Sequence, residues 1–311
     1  MKIPIIIINW NGYKDTLDCI HSVLETEDVD FEIFLVDNGS DNNEGEQLQA
    51  YFHSFPNINY FFLDENIGFA KANNFVLQQI LKGNYQWVIL LNNDTVVDPK
   101  WLSGFIRTAR LMKADMVSAK FIQYYDRDLI DNLGHQMLNT GEVIPIAHDE
   151  PTSGYDSSFY NFGSCAGAAL YSVPMLREVG TFDPFFSTGY EDAELGVRAV
   201  VAGYKAVYSP DSLVYHKGGQ SIRKVFNEDY ALMIQSAIWY TYFKLMPMTV
   251  ILVSVPFIVV KTITLSLINL LFSRWKYLRI RKKFYHFSMT IRQKMDSPSV
   301  KFFVYRNHQI S

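Results

Sequence analysis

The chain has 311 residues, 49% of them apolar, a formal charge of −4 and two cysteines. That length supports one large domain with an appendage, or two domains. Cys19 and Cys165 stand far apart with no CxxC spacing, which argues against a disulfide framework or a structural zinc site and fits a reducing compartment.

The first 120 residues alternate between two periodicities. Ile3–Asn9 is a continuous β-branched run, hence a buried strand, and too short an apolar stretch for a signal peptide. Asp15–Glu25 has helical spacing, Phe31–Asp37 reads as a strand, Gly45–Phe55 as a helix and Asn59–Leu63 as a strand. A helix over Phe69–Leu81, a strand over Trp87–Leu91 and a helix over Pro99–Met112, opened by its proline, complete the series. Met116–Phe121 is a fifth strand. Such alternation predicts an α/β fold of right-handed βαβ units around a mainly parallel sheet with flanking helices. Residues 125–163 are polar and glycine- and proline-rich, so loops with short strands are expected there. Order returns at Ala166–Ser172, and a helix starts near Asp192 and stops at Gly203. The body is expected to end near Ser221.

The ends of the strands carry the chemistry. The first ends at Asn9, the second at Asp37, the third is followed by Asn66 and Gly68, and the fourth ends in Asn92-Asn93-Asp94. Any one of these clusters alone reads as a turn or a helix cap. Together they place amides and carboxylates at the carboxyl edge of a parallel sheet, where such folds bind ligands. The residue types suit a nucleotide. Asp37 can accept from a pyrimidine N–H, the backbone before the helix at Phe69 offers N–H groups to phosphate, and Asp94 can hold a hard divalent cation. Neither GxxxxGK[ST] nor GxGxxG follows the first strand, which disfavours Walker-type ATP use and dinucleotide use. Further on, Glu191 and Asp192 open a helix. Capping is the plain reading of that pair, Arg198 stands four residues beyond Glu194, and His216 ends the apolar run Ser212–Tyr215.

These pieces carry a resemblance. IIIINWNG, LVDNGSDN, ENIGFAKANN, LLNNDTVVDP and GTFDPFFSTGYEDAELGVRAVVAGYKAVYSPDSLVYHKGG occur in one order over residues 3–221. The chain resembles the family 2 glycosyltransferases of GT-A fold, especially their rhamnosyltransferase-like branch. The resemblance implies that Asn9 and Asp37 hold base and ribose of a nucleotide-diphospho-sugar donor, a dTDP- or UDP-sugar, and that Asn66 and Gly68 belong to the same pocket. It implies that Asn92-Asn93-Asp94 stands in the DxD place, with Asp94 the metal-binding acid and Asn92 replacing the first acid. Asp192 is then the general base, and His216 completes the metal site. Mixed oxygen and nitrogen ligation suits Mn2+, with Mg2+ the second choice. Inverting transfer to a hydroxyl of a glycan or lipid-linked glycan follows, as in cell-surface polysaccharide synthesis. Two other classes stay open: a nucleotidyltransferase, which would need a basic glycine-rich loop after the first strand, and a non-catalytic nucleotide-sugar-binding assembly subunit.

The charge is unevenly spread. Residues 1–225 carry 16 Lys and Arg against 29 Asp and Glu, and residues 226–311 carry 12 against 3. A catalytic domain over 1–225 and a helical, membrane-associating region over 226–311 are expected. The tail contains no nucleic-acid motif. Residues 245–273 hold one charge, Lys261, and RWKYLRIRKK follows with six basic residues in ten. Pro247, Pro256 and Lys261 interrupt the run, so a re-entrant or interfacial pair of helices is favoured, on an anionic membrane at the cytoplasmic face. The competing reading packs this segment on the body or in a homodimer interface.

Overall fold

The computed structural model describes residues 2–138, 140, 142–186, 189–218 and 228–271. In chain order the elements are β1 (Ile3–Asn9), α1 (Tyr13–Leu24), β2 (Phe31–Asn38), α2 (Glu44–Tyr51), β3 (Ile58–Leu63), α3 (Phe69–Ile80), β4 (Trp87–Asn92), β5 (Thr95–Val97), α4 (Trp101–Met112) and β6 (Met116–Gln123). Then come β7 (Ile130–Asn132), β8 (His135–Met137), β9 (Val143–Pro145), β10 (Tyr160–Asn161), β11 (Ala168–Ser172), α5 (Val173–Val179), α6 (Glu191–Val201), β12 (Ala206–His216), α7 (Glu228–Leu245) and α8 (Met248–Leu271). The expected end of the body near Ser221 and the basic run 274–283 lie outside the described residues.

The large sheet runs β10-β12-β6-β11-β4-β1-β2-β3, with β5 on β12 and β7 on β6. The expected parallel order holds across β4, β1, β2 and β3. Beyond β4 the sheet is mixed, because β11 enters antiparallel between β4 and β6. Strands β2 and β4 flank β1 on opposite sides, so the connection reverses direction at β1, and the carboxyl ends of β1 and β4 form the kind of switch point at which such sheets bind ligands.

The unbroken apolar run of β1 is explained by burial on both faces. Ile3, Ile5 and Ile7 pack with Cys19, Ile20 and Val23 of α1 and Trp101, Leu102 and Phe105 of α4. Ile6 faces the other way, toward Val76, Leu77 and Ile80 of α3, Met175 and Leu176 of α5 and Leu195 of α6. Each such side chain contributes about 1.5–3 kcal/mol on burial. Helix α5 has no counterpart among the expected elements, although Ser172 caps it by accepting from Met175 N at 3.3 Å and Pro174 sits in its first turn.

The chain divides into two units, Met1–Met248 and Thr249–Ser311. Helix α7 belongs to the first, past the boundary at 225 expected from charge. Its Lys244 Nζ lies 2.6 Å from Asp183 Oδ2 and 3.0 Å from Glu194 Oε1, and Tyr240 stacks on Phe185 at 4.2 Å. The aromatic stretch 182–186 is divided: Phe182 and Phe186 are core, whereas Phe185 is 56% exposed. Helix α8 runs without interruption through Pro256, where a break between two shorter helices was expected. Both cysteines are free.

One close approach sets where α6 can sit. A Cβ on Gly196 would come within 2.7 Å of Gly163 Cα and of Phe162 O, so helix and loop meet backbone to backbone. Gly196→Ala is expected to cost about 1–3 kcal/mol through overpacking. At roughly 2–4 °C per kcal/mol for a domain of this size, the thermal midpoint falls accordingly. An unchanged midpoint by calorimetry would contradict this packing.

Candidate active site

The carboxyl edge of the sheet is held by buried polar side chains. Asn9 is fully buried, and its Nδ2 donates to Asp37 Oδ1 at 2.7 Å, Ser40 Oγ at 3.0 Å and Glu44 Oε2 at 3.3 Å. Its Oδ1 accepts from Thr16 Oγ1 at 2.8 Å, and Thr16 Oγ1 in turn accepts from Asn93 Nδ2 at 2.9 Å. Register explains the meeting, since Asn9 lies opposite Asp37 in the parallel β1–β2 pair. Asn9 is therefore a fastener for its neighbours, and Asp37 beside it is 8% exposed. Asp37 Oδ2 also accepts from Ser40 N at 3.1 Å, closing the turn.

Asn66 and Gly68 join through Asn38, a residue not singled out from the sequence. Asn38 Nδ2 donates to Asn66 Oδ1 at 3.0 Å and Asn38 Oδ1 accepts from Ile67 N at 3.1 Å. Asn66 Oδ1 also accepts from Gly68 N at 2.9 Å. Gly68 has φ +85°, a conformation open to glycine, and it starts α3. Asn92 lies opposite Ile8 in the β4–β1 pair, and its backbone N–H donates to Gly167 O at 2.8 Å.

Asp94 follows directly, in the turn between β4 and β5. The antiparallel β5–β12 pair sets His216 opposite Thr95. This brings His216 Nε2 to 3.3 Å from Asp94 Oδ2, although 122 positions separate them in sequence. His216 Nδ1 is 2.8 Å from Asp131 Oδ2, and the ring stacks on Phe121 at 4.7 Å. Burial opposes charge on this imidazole, but hydrogen bonds to Asp131 and Asp94 outweigh it and push its pKa from 6.5 up to about 10. Burial likewise works against ionising Asp94, yet the pairing with His216 holds its carboxyl below the usual value. Lys217 Nζ sits nearby between Asp15 Oδ1 at 2.9 Å and Asp18 Oδ2 at 2.6 Å of α1.

This set fits a divalent cation. Asp131 fixes the ring so that Nε2 faces Asp94, the carboxylate–histidine arrangement that orients metal ligands. A cation held by both would lie between His216 Nε2 and Asp94 Oδ2, which stand 3.3 Å apart. Asp131 escaped the sequence reading because it lies in the irregular stretch 125–163, where no periodicity marks it.

Asp192 stands in the first turn of α6. Its Oδ2 accepts from Ala166 N at 3.0 Å and its Oδ1 from Ala193 N at 2.7 Å. His135 Nε2 is 3.9 Å from Asp192 Oδ2. Glu191 is buried, and burial plus the adjacent Asp192 charge push its carboxyl up to about 8. The expected Arg198–Glu194 pair is present at 2.8 Å, and Leu195 and Val197 face inward. Arg198 also donates to Val179 O and, at 2.8 Å, to Thr181 O, fixing the loop ahead of α6.

A mixed sheet with helices on both faces, and a polar edge at the β1–β4 reversal, is the GT-A glycosyltransferase architecture. The solved structure of GalNAc-T7 with UDP, GalNAc and Mn2+ is similar over 69% of this chain and 43% of that one, with TM-score 0.58 and 17% identity. Staphylococcus aureus TarS 1-349 is similar over 76% of this chain and 64% of that one, with TM-score 0.52 and 14% identity. The chain belongs to glycosyl transferase family 2, whose family model matches residues 5–179. Glycosyltransferase GlyG of Streptococcus pneumoniae is 24% identical over 126 residues, 40% of this chain, and O-antigen biosynthesis protein RfbC of Myxococcus xanthus is 25% identical over 235 residues, 71% of this chain. The matched stretches span 41% and 18% of those two relatives.

Proposed function

We propose that this protein is an inverting glycosyltransferase that moves a sugar from a nucleoside-diphosphate donor to a hydroxyl of a glycan or lipid-linked glycan. The observation that carries this reading is the single polar edge on which Asn9–Asp37, Asp94–His216 and the loop before α3 meet. Asp37 accepts from the base or ribose, with Asn9 holding its carboxylate in place. The backbone at Asn66–Gly68 and the start of α3 face the donor. Asn92 and Asn93 line the strand end between them, and Asn92, lacking a carboxylate, contacts ribose or water. Asp94 and His216 would hold Mn2+ or Mg2+, which supplies positive charge to the departing diphosphate when bound.

Asp192 takes the proton from the acceptor hydroxyl as that oxygen attacks the anomeric carbon. The N–H groups of Ala166 and Ala193 orient its carboxylate, and Glu191, largely neutral near pH 7, adds little competing charge. The product name of RfbC supports a role in surface polysaccharide synthesis. The sequence resemblance favours rhamnose from a dTDP donor, with galactose and glucose as the alternatives. Incubation with UDP-, dTDP- and GDP-sugars plus Mn2+ is expected to release nucleoside diphosphate from one donor class. Asp192→Asn is expected to lower that turnover by about 10²–10⁴-fold while donor affinity persists. Near-normal turnover in the variant would remove Asp192 from the role of base.

Helix α8 supports a second part of the proposal, that the protein is held on a membrane at the cytoplasmic face. Among the described residues it is the one helix long and apolar enough to cross a bilayer, with mean hydropathy 2.1 over Met248–Leu265. Its 24 residues span roughly 36 Å, against a hydrocarbon core of about 30 Å. Leu252, Val253 and Val260 are each at least 64% exposed, an arrangement that water does not favour and lipid does. The full chain is expected to float with anionic liposomes, and a chain ending at Lys244 to stay in the soluble fraction. A full chain that neither needs detergent nor floats would contradict membrane attachment.

A further inference from the structure

A second group of ligating side chains surrounds Asp192, apart from Asp94 and His216. His135 opens β8, Cys165 lies in the turn before β11, and Asp192 is in the first turn of α6. One ligand atom from each lies within 4.8 Å of the other two. His135 is 7% exposed, and its Nδ1 has no hydrogen-bond partner. Its Nε2, at 3.9 Å from Asp192 Oδ2, is beyond hydrogen-bond range. A buried imidazole with no hydrogen bond on Nδ1 and only a long approach on Nε2 asks for an explanation.

The donor types narrow the ligand. Imidazole nitrogen, thiolate sulfur and one carboxylate oxygen together select a borderline-soft divalent ion over Mg2+ or Ca2+. Without such an ion, burial and the Asp192 charge keep the Cys165 thiol protonated. Metal–ligand distances of about 2.0–2.3 Å imply ligands roughly 3.3–3.8 Å apart in a tetrahedral site, so the three must close by about 1 Å. Cys165 can supply that movement, being in a turn closed by Ala168 N donating to Cys165 O at 3.1 Å rather than in a strand.

We propose that His135, Cys165 and Asp192 bind a Zn2+-class ion, and that its binding withdraws Asp192 from acceptor deprotonation. The exchange balances without redox chemistry: the thiol S–H bond breaks, its proton goes to solvent, and a sulfur–metal bond forms. The fourth position stays open to water. The binding half stands on geometry alone, whereas the inhibitory half rests on the function proposed above.

Co2+ is the probe for binding, because a thiolate ligand gives it a near-ultraviolet charge-transfer band. Metal-stripped full-length protein is expected to develop that band with one equivalent of Co2+. Cys165→Ser, nearly isosteric, is expected to lose it, His135→Gln to weaken binding about 10–100-fold, and Asp94→Ala to keep it. No band in the wild type, or a band that survives in Cys165→Ser, overturns the site. For inhibition, Zn2+ added to the Mn2+-supported donor-hydrolysis assay is expected to lower the wild-type rate, and to lower the Cys165→Ser rate less, each relative to its own zinc-free value. A band without inhibition overturns the inhibitory half. A wild type that hydrolyses no donor counts against the proposed function and against the inhibitory half that rests on it, while the cobalt spectrum still decides the site.

Discussion

Where β1 ends, a fully buried amide has to be satisfied. Asn9 cannot reach water, so its donors and acceptor must find protein partners or leave costly orphans, each about 1–3 kcal/mol. Those partners, Thr16 on α1, Asp37 on β2, and Ser40 and Glu44 at the approach to α2, come from three separate segments. Satisfying one side chain thus fixes the position of a helix, a strand end and a loop at the carboxyl edge of the sheet. The apolar part of the fold does not choose this arrangement. The isoleucines of β1 secure the layers, while Asn9 secures the edge.

The opposite wall depends on register. β5 is only three residues long, yet its antiparallel pairing with β12 brings His216 to Asp94, and β7, paired with β6, leads from Asp131 to the same ring. Three acidic or basic groups distant in sequence become one hydrogen-bonded line. A one-residue slip would turn alternate side chains to the other face and dissolve it. The two walls have different electrostatics. The Asn9 side is a network of amides and hydroxyls with two carboxylates, Asp37 and Glu44, the character proposed for a base and ribose site. The Asp94 side holds paired charge that a cation can replace.

Much of the body was legible because its elements announce themselves locally. A continuous β-branched run marks β1, short, largely apolar runs mark β2 and β4, and apolar spacing marks α1, α3 and α4. What escaped has a physical reason in each case. Strand direction leaves no mark on side-chain period, so β11 reads as a strand without revealing that it runs antiparallel. β5, β8 and β10 are too short for any period. Asp131 and His135 acquire meaning only from tertiary pairing, and nothing in DNLGH separates them from turn residues. Asn38 was hidden by its neighbour, since the carboxylate of Asp37 is the more conspicuous chemistry. Pro256 misled through propensity: a proline costs about 3 kcal/mol inside a helix in water, yet α8 continues through it.

Asp94 and His216 are the proposed place where a cation meets the donor diphosphate. Crystals grown with Mn2+ and UDP, measured at the manganese absorption edge, test this most directly. One strong anomalous peak is expected within bonding distance of both Asp94 Oδ2 and His216 Nε2, with diphosphate oxygens completing its shell. Bound nucleotide with no manganese between those two atoms would contradict it.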